Sequence, residues 1–548
     1  MSSYFKNFTI KSCLRPGFLI KLLVSLAFAV STCLDSHLAY SDNLYAAADR
    51  ILFLPRTSAS FVKGTLGFIA IFAIISFLEF LQKKLNFHYD VTPKEATRKD
   101  LFVWLLFFFL LICAWSPYLL SYFPGGIYPD TETCIGQAQS GAYNNQQPIF
   151  YSLLFKLCLT VAGRMNTVAV FSIFQIVFMA CCFSYILFRL YLHNVNRPVL
   201  IAIFAYFALF NLVPLYVVSI WKDTLFSTTL LMYIFLLFEN VIMSGKRPAP
   251  RKIALIILFM VLTVFLRNNG IYVMLLTTII LAIAFRKTLM NAHKAFFSVT
   301  AIALIFCFTI QGPVFNSFEL NGPFVENLGV LQQQVAYVEV VGGDITPEEM
   351  EFLNKICPED IMKAYYRPLI IDTIKWCEDY DTYYLENHKG KFLKVWASML
   401  TRNPKLYVDA YLYITLGYWN PFKQSVVSYV NPEMWPELQS VDCYWQLDPI
   451  AMLTGASIRE SLSPKTLISS AVFLFISLVL FALSANKKDK RWLVFIPALA
   501  TYLTVFIATP LAFALRYVYI VVLTVPLFVF IAFLQCSSTT TQSTDEAL

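Results

Sequence analysis

One polar segment of the chain carries the residue types that acid–base chemistry needs. It runs from Ser121 to Tyr151, has no lysine or arginine, and contains carboxylates, amides and glycines directly after an apolar run. A carboxylate at the edge of a membrane can remove a proton from a hydroxyl group that lies within hydrogen-bond reach. Asp130 is the candidate for this general base. The alternative is that Asp130 caps a helix that begins near Thr131, a role that aspartate fills well.

Three cations stand at the ends of apolar runs, where a charge is costly. They are Lys222, Arg267 and Arg516. A charge at membrane depth costs roughly 2.5–3.5 kcal/mol, so such residues usually face a polar cavity, pair with an acid or extend to the surface. Arginine grips phosphate with two parallel hydrogen bonds and lysine acts as a point charge, so these residues could hold a phosphate group. The alternative is an ion pair, such as Lys222 with Asp223, or simple extension to the membrane surface.

The three cations are expected to share one membrane face with Asp130. Opposite unit charges about 4 Å apart attract by about 4 kcal/mol at an effective dielectric constant of about 20. The stretch from Ile149 to Arg164 follows Asp130 and is too short and too interrupted by charge for a span. It predicts an amphipathic helix in the membrane interface, the surface that a lipid-linked substrate meets first.

The composition places most of the chain in a membrane. Of 548 residues, 58% are hydrophobic, 16% are aromatic and 14% are charged, and a soluble domain of that balance could not cover itself with polar surface. The net charge of +8 does not indicate nucleic-acid binding, because the basic residues form short runs between apolar segments. A helix needs roughly 20 residues to cross the hydrocarbon core. We predict about twelve spans, near 17–35, 62–82, 101–120, 166–188, 199–218, 224–243, 253–266, 269–285, 295–311, 464–485, 492–508 and 513–535.

The basic runs predict the orientation of this multi-pass chain in a plasma membrane. They fall in alternate loops, which the positive-inside rule places in the cytoplasm together with both termini. Arg50, Arg56 and Lys63 then lie outside, and the first 35 residues, although similar to a signal peptide, are expected to be retained. The runs consist of Lys6, Lys11, Arg15, Lys83, Lys84, Lys94, Arg98, Lys99, Arg189, Arg197, Lys246, Arg247, Arg251, Lys252, Arg286, Lys287, Lys294, Lys487, Lys488, Lys490 and Arg491.

The expected fold is an all-α polytopic membrane protein with a mostly helical extracytoplasmic domain. Inside that domain, Thr346-Pro347-Glu348-Glu349 predicts the start of a helix. The predicted sections are two N-terminal spans with a cytoplasmic linker (1–100), a transmembrane core (101–311) with its first outer loop (121–165), the extracytoplasmic domain (312–463), three C-terminal spans (464–535) and a cytoplasmic tail (536–548).

Twelve cysteines are scattered along the chain without a C-x-x-C pair, and most are expected to be small buried hydrophobes. Four of them, Cys134, Cys357, Cys377 and Cys443, lie in predicted outer loops. A disulfide could form there in an oxidising compartment, but its pairing does not follow from the sequence.

The polar motifs resemble those of the GT-C superfamily of membrane glycosyltransferases. The resemblance rests first on the outer-loop Asp130 followed by Gln137, Gly141 and Gln147-Pro148-Ile149-Phe150-Tyr151. It covers roughly residues 101–535. Further segments resemble a largely uncharacterised bacterial branch of the superfamily, namely Trp221-Lys222-Asp223, Arg267-Asn268-Asn269-Gly270, Leu331-Gln332-Gln333-Gln334, Gly417-Tyr418-Trp419-Asn420-Pro421 and Arg516-Tyr517.

The resemblance implies inverting transfer of a sugar from a polyprenyl-phosphate donor to a glycan, lipid or protein acceptor outside the cytoplasm. Asp130 would be the base, and Lys222, Arg267 and Arg516 would hold the donor phosphate. No cofactor is required, although Asp130 and Glu132 could supply oxygen ligands to a divalent metal. Gln147 stands where many relatives have histidine, and a glutamine cannot shuttle protons. The supporting residues would be Glu132, Gln137, Gln147, Asp223 and Asn268.

Two other functions compete with this one. A transporter or flippase of lipid-linked glycan would use the same cations, but such proteins commonly show paired repeats, and the sequence has none. A catalytically silent assembly protein of the cell envelope would use the aromatic residues of the outer domain to bind glycan or a partner. Donor binding without transfer or transport would favour that third function.

Overall fold

The computed structural model describes residues 16–55, 57–85, 87–165, 167–244, 247–425, 446–464, 468–487 and 489–535. Some features named above lie outside these ranges, namely Lys6, Lys11, Arg15, Arg56, Lys246, Cys443, Lys488 and the tail at 536–548.

An antiparallel helix pair begins the described chain. It consists of α1 (Pro16–Asp35) and α2 (Ser58–Lys84), joined across the two-stranded hairpin of β1 (Leu38–Ala39) and β2 (Leu52–Phe53). The two helices approach closely at Gly67, where a Cβ atom would lie 2.8 Å from the Thr32 hydroxyl. Lys21, the charge that interrupts the first apolar run, is neutralised by Glu79 of α2 at 2.9 Å.

The central part of the chain is a bundle built around one buried helix. That helix, α9 (Lys222–Leu237), is buried from Asp223 to its end and continues into a π-helical turn at Phe238–Ile242. The helices of this part are α3 (Arg98–Ser121), α4 (Pro129–Ser140), α5 (Ile149–Ala162), α6 (Ala169–Leu192), α7 (Arg197–Leu209), α8 (Leu212–Val218), α9 (Lys222–Leu237), α10 (Pro250–Leu266), α11 (Gly270–Ala284) and α12 (Lys294–Thr309).

The domain that follows is mostly helical and has its own hydrophobic core, in which Tyr366, Tyr407 and Leu385 are buried. Thr346 caps the predicted helix at Pro347, so that prediction is confirmed. The helices are α13 (Phe315–Ser317), α14 (Gly329–Val340), α15 (Pro347–Asn354), α16 (Glu359–Tyr365), α17 (Asp372–Lys375), α18 (Thr382–Asn387), α19 (Lys389–Arg402), α20 (Pro404–Ile414), α21 (Leu416–Trp419), α22 (Pro449–Thr454) and α23 (Arg459–Leu462).

Three helices complete the described chain and return to the bundle: α24 (Ser470–Ala485), α25 (Ile496–Ala508) and α26 (Ile520–Phe533). Eight helices of the described residues are long and apolar enough to cross a membrane, or nine if α7 and α8, bent by 49° at their break, form one span. The all-α fold is therefore confirmed, and the long apolar helices indicate a membrane-embedded protein.

The predicted count of twelve spans is not confirmed, and helix length is the reason. The apolar segments α10, α11 and α24 have 17, 15 and 16 residues. At about 1.5 Å per residue they reach roughly 22–26 Å, which is less than a hydrocarbon core of about 30 Å.

The outer domain, defined as α13 to α23, holds the segment at 509–514 that leads directly to Arg516. Gln333 of α14 donates hydrogen bonds from Nε2 to the carbonyls of Arg367 and Pro368, both at 2.9 Å. The loop that these carbonyls belong to forms two backbone hydrogen bonds of 2.9 and 3.0 Å with the 509–514 segment. Gln333, one of the amides in the Leu331–Gln334 motif, is thus a structural residue.

Gly417 and Tyr418 hold the same segment from the other side. The Gly417 N–H donates to the carbonyl of Ala512 at 2.9 Å, and the Tyr418 hydroxyl donates to the carbonyl of Leu511 at 3.0 Å. A Cβ atom at Gly417 would collide with the Ala512 carbonyl oxygen, so the backbone approach requires glycine.

Two of the basic residues that are predicted to be cytoplasmic, Arg189 and Lys490, lie at the opposite end of the bundle. Arg189 pairs with the buried Glu239 at 2.6 Å, and His193 lies 2.8 Å from the same carboxylate. Lys490 donates to the carbonyl of Ala284 at 2.8 Å. Arg189 and Lys490 therefore lie at the same end of the bundle.

Gly417→Ala tests the close contact with the 509–514 segment. Because the added methyl group must displace Ala512, we expect a loss of about 1–3 kcal/mol in the free energy of unfolding. Thermal unfolding of the detergent-solubilised chain measures this loss. The matched control is Gly390→Ala in α19, where a Cβ atom has open space. Equal unfolding temperatures for the two variants would contradict the described contact.

Candidate functional site

Helix α4 fixes Asp130 at the end of the bundle. Pro129 is its first residue, a position at which the missing N–H costs nothing, and Asp130 follows in the first turn. The Thr131 hydroxyl donates to the carbonyl of Ile220 at 2.5 Å. The first turn of α4 is therefore fastened to the residues directly before Lys222.

Asp130 is bound by two cations that come from distant parts of the chain. Its Oδ2 accepts hydrogen bonds from Lys222 Nζ at 2.9 Å and from Arg516 Nη1 at 2.6 Å. The side chains of Asp130, Lys222 and Arg516 are 28%, 13% and 16% exposed. The capping hypothesis is wrong, because the N-cap position belongs to Tyr128 and the Asp130 carboxylate faces the cations.

The electrostatics of this contact keep Asp130 ionised. Burial by itself raises the pKa of the carboxyl group, but the charges of Arg516 and Lys222 outweigh burial and hold the pKa of Asp130 well below its ordinary value of 3.8. Both cations contact the same oxygen, Oδ2, and within the described ranges no residue hydrogen-bonds to Oδ1. Oδ1 is thus the oxygen that an incoming hydroxyl group can reach.

Aromatic rings frame the guanidinium group of Arg516. Its Cζ lies 4.9 Å from the ring centroid of Trp221 and 4.8 Å from that of Tyr517, distances typical of cation–π contact. Trp221 stacks on Tyr128 with a centroid distance of 3.7 Å. These rings restrict the motion of Arg516 and exclude part of the surrounding water.

Arg267 does not contact Asp130. Tyr517 lies between Arg267 and Arg516. Arg267 Nη1 donates to the Tyr517 carbonyl at 2.7 Å and lies 3.2 Å from a carboxylate oxygen of the fully buried Asp223. Arg516 donates to the Tyr517 hydroxyl at 3.1 Å. The alternative pairing of Lys222 with Asp223 is therefore wrong, because each acid takes a cation that is distant in the sequence.

We call these five charged residues the acid–cation cluster. Two acids face three cations, which leaves a net charge of +1 at the end of an apolar bundle. An excess positive charge at such a place favours an anionic ligand, because the low-dielectric surroundings strengthen the attraction. The cluster consists of Asp130, Lys222, Asp223, Arg267 and Arg516.

The predicted amide residues support the loops around the cluster. Gln147 touches it directly, since its Oε1 accepts a hydrogen bond from Lys222. Gln137 is buried and accepts a hydrogen bond from the Ser152 hydroxyl at 2.9 Å. Asn268 donates to a carbonyl of the loop before α5 at 2.8 Å. Gln147 is thus a neighbour of the cations, while Gln137 and Asn268 hold the loops in place.

Glu132 stays apart from Asp130. Residues two apart on a helix do not face each other, and Glu132 is exposed on α4. In the described part of the chain it has neither a hydrogen bond nor an ion pair with the cluster. Among the same residues, no group of three or more His, Cys, Asp or Glu side chains that could hold a metal ion occurs.

Helix α5 forms in the stretch where the sequence predicts an interfacial helix, but it is apolar on both sides and not amphipathic. One face packs on the bundle, where Phe155 stacks on Phe171 of α6 with a centroid distance of 4.0 Å. The opposite face is apolar and exposed, through Phe150, Leu153, Leu157 and Val161. An exposed apolar face directly after Gln147 suits contact with lipid beside the cluster.

Sequence reasoning missed the aromatic residues of the site. The sequence predictions include Trp221 and Tyr517 in motifs but assign them no role, and they do not single out Tyr128. The signal was their position, because Trp221 precedes Lys222 and Tyr517 follows Arg516. Aromatic residues adjacent to cations at the ends of apolar runs are candidates for cation–π contact.

Comparison with known proteins gives one finding. A protein-family model described as a family of unknown function (DUF6020) matches residues 98–547. No curated protein matches the chain. No solved structure matches it either.

The pH dependence of stability tests the charge state of Asp130. Asp130→Asn removes the ionised partner of two cations, and we expect a loss of about 1–3 kcal/mol in the free energy of unfolding at neutral pH. A carboxyl group whose folded pKa is lowered contributes stability above its unfolded pKa and loses it as the pH falls toward the folded value. The difference between wild type and variant should therefore stay constant from about pH 8 to about pH 5 and shrink below about pH 4.

Thermal unfolding in detergent over this pH range provides the measurement. A difference that disappears between about pH 8 and about pH 6 would show that the carboxyl group titrates there, contrary to the described contacts. Glu132→Gln on the same helix serves as the control, since Glu132 is exposed and makes no contact with Lys222 or Arg516.

Proposed function

Because the chain belongs to DUF6020, a family of unknown function, we propose its activity from the acid–cation cluster and from the membrane helices that carry it. The proposal is a GT-C-type glycosyltransferase that moves a sugar from a polyprenyl-phosphate carrier to an acceptor outside the cytoplasm. One observation carries it: Asp130 is bound by Lys222 and Arg516 at the end of an apolar bundle, next to the exposed apolar face of α5.

The donor would approach from the lipid side. Its hydrocarbon chain would lie along the apolar face of α5, and its phosphate would meet the net positive charge of the cluster. Arg516 has the planar group that can donate two parallel hydrogen bonds to phosphate oxygens, and Lys222 adds a mobile point charge. Arg267 is already paired with Asp223, so its contribution would be to the field at the phosphate.

The reaction follows from these positions. The oxygen of the acceptor hydroxyl attacks the anomeric carbon, and the bond from that carbon to the phosphate oxygen breaks with its electron pair remaining on the phosphate. Asp130 takes the hydroxyl proton on Oδ1, and attack opposite the leaving group inverts the anomeric configuration. Lys222 and Arg516 stabilise the charge that develops on the departing lipid phosphate.

Donor binding would also activate the base. A carboxylate with a strongly lowered pKa accepts a proton weakly, because basicity follows the pKa. The donor phosphate competes with Asp130 for Arg516 and Lys222, and weakening those contacts raises the pKa of Asp130 toward its ordinary value. The base therefore gains strength when the donor is in place.

The proposed orientation puts the cluster and the outer domain outside the cytoplasm. The basic residues gather at the opposite end of the bundle, around Glu239 and Ala284, and the positive-inside rule assigns that end to the cytoplasm. A lipid-linked donor and an acceptor of the cell envelope would then meet at the cluster.

Turnover of Asp130→Asn tests the proposed base. Because the amide cannot accept the hydroxyl proton, we expect transfer from a polyprenyl-phosphate sugar to fall by a factor of about 100 to 10,000. The measurement is the formation of glycosylated acceptor by purified protein in detergent or liposomes. Glu132→Gln is the matched control, since Glu132 lies on the same helix and faces away from the cations.

Normal transfer by Asp130→Asn would remove Asp130 from this role. Movement of the lipid-linked glycan across a liposome membrane without any transfer would contradict the whole proposal in favour of transport. Chelation of divalent ions should leave transfer unchanged, because the proposed charge stabilisation comes from Lys222 and Arg516.

The donor dependence of Lys222→Gln tests phosphate binding. Losing one charged hydrogen bond to phosphate costs about 1.5–3 kcal/mol, so KM for the donor should rise about 10- to 100-fold. KM for the acceptor should change little. Lys156→Gln is the matched control, because Lys156 is an exposed lysine of α5 and not a member of the cluster. Equal donor KM values for the two variants would exclude Lys222 from phosphate binding.

A further inference from the structure

Two cysteines of the outer domain lie side by side. Cys357 follows α15 and is fully buried, and Cys377 follows α17 and packs against the same core. The two segments are joined by a 2.7 Å hydrogen bond from the Asp381 N–H to the carbonyl of Ile356. Cys377 is one of the groups that raise the pKa of the Cys357 thiol, which makes the two side chains neighbours. Residues twenty positions apart are thus brought together by the fold.

Cys357 is shielded from water, whereas Cys377 is partly exposed. Burial raises the pKa of the Cys357 thiol to about 12, and the adjacent Cys377 and the buried Glu339 add to the effect. A thiol of that kind is unreactive in the folded domain, since the thiolate is the reactive form. A bond between the two sulfur atoms would therefore form while the domain is still open and would be shielded from reductants afterwards.

We propose that Cys357 and Cys377 form a disulfide in the mature protein. The proposal rests on the proposed orientation, which places the outer domain in an oxidising compartment. The oxidant is a disulfide-bonded thiol oxidoreductase of the envelope. Each cysteine loses its proton, one sulfur–sulfur bond forms, and the two electrons and two protons reduce the disulfide of the oxidant to two thiols.

The bond would fasten the loop that holds the Arg516 segment. Residues between the two cysteines include Leu369 and Ile371, which hydrogen-bond to the 509–514 segment at 2.9 and 3.0 Å. Closing this loop covalently removes conformations from the unfolded chain and keeps Leu369 against its partner. Reduction of the disulfide is therefore expected to loosen the contacts by which the outer domain holds the backbone before Arg516.

Peptide mapping of the full-length protein tests the proposal. The protein is purified from membranes of a host with an oxidising envelope, alkylated without reductant and digested with trypsin. Cleavage after lysine gives Ile356–Lys363 and Trp376–Lys389, each with one cysteine. We expect these two peptides as one linked species that disappears when dithiothreitol is added before alkylation.

Two separately alkylated peptides would overturn the proposal, and so would a link from either peptide to the one that contains Cys443. Cys377→Ser should leave the Cys357 peptide alkylated and should lower the unfolding temperature to that of the reduced wild type. Cys113→Ser on α3, where the thiol is exposed, is the matched control and should keep the linked species. A failure of sugar transfer would leave the mapping result unaffected, so the two proposals are tested separately.

Discussion

The attraction between one carboxylate and two cations joins three parts of the structure that are far apart in the sequence. Asp130 lies in the first turn of α4, Lys222 begins the central helix, and Arg516 follows the 509–514 segment. Removing such charges from water costs several kcal/mol per ion, and only good geometry and further hydrogen bonds offset this cost. Much of the neighbouring structure supplies that geometry. Trp221 and Tyr517 hold Arg516 between their rings, and the outer domain fixes the backbone just before it.

The outer domain therefore has a structural role at the cluster. Gln333, Gly417 and Tyr418 belong to motifs that could have been taken for ligand-binding residues, yet their hydrogen bonds go to backbone carbonyls. They hold the loop and the segment that carry Arg516. Changes in the domain can thus alter the position of this guanidinium group without touching a substrate, which is how distant packing usually affects a site.

Physical reasoning from the sequence located the charged residues of the site but not all of their partners. Cations at the ends of apolar runs are costly, and that cost identified Lys222, Arg267 and Arg516. Which acid each cation meets depends on the rotation and ends of helices, and neither can be obtained from hydropathy. An ion pair between Lys222 and Asp223 therefore remained an alternative from the sequence, whereas the fold pairs Asp223 with Arg267. The span count was not confirmed for a similar reason, since an apolar run shows composition while the length of a helix depends on where its neighbours end it.

The separation of the cluster residues along the chain sets the order in which the site can assemble during synthesis. Asp130 and Lys222 are 92 residues apart and can pair as soon as α9 has entered the membrane. Arg516 is 386 residues beyond Asp130, so it reaches the ribosome exit only after the whole outer domain has been made. A nascent or truncated chain thus carries an inserted bundle with an incomplete set of charges. Completion of the cluster is therefore a late stage of biogenesis, and a chain that stops short of Arg516 has membrane helices but an incomplete cluster.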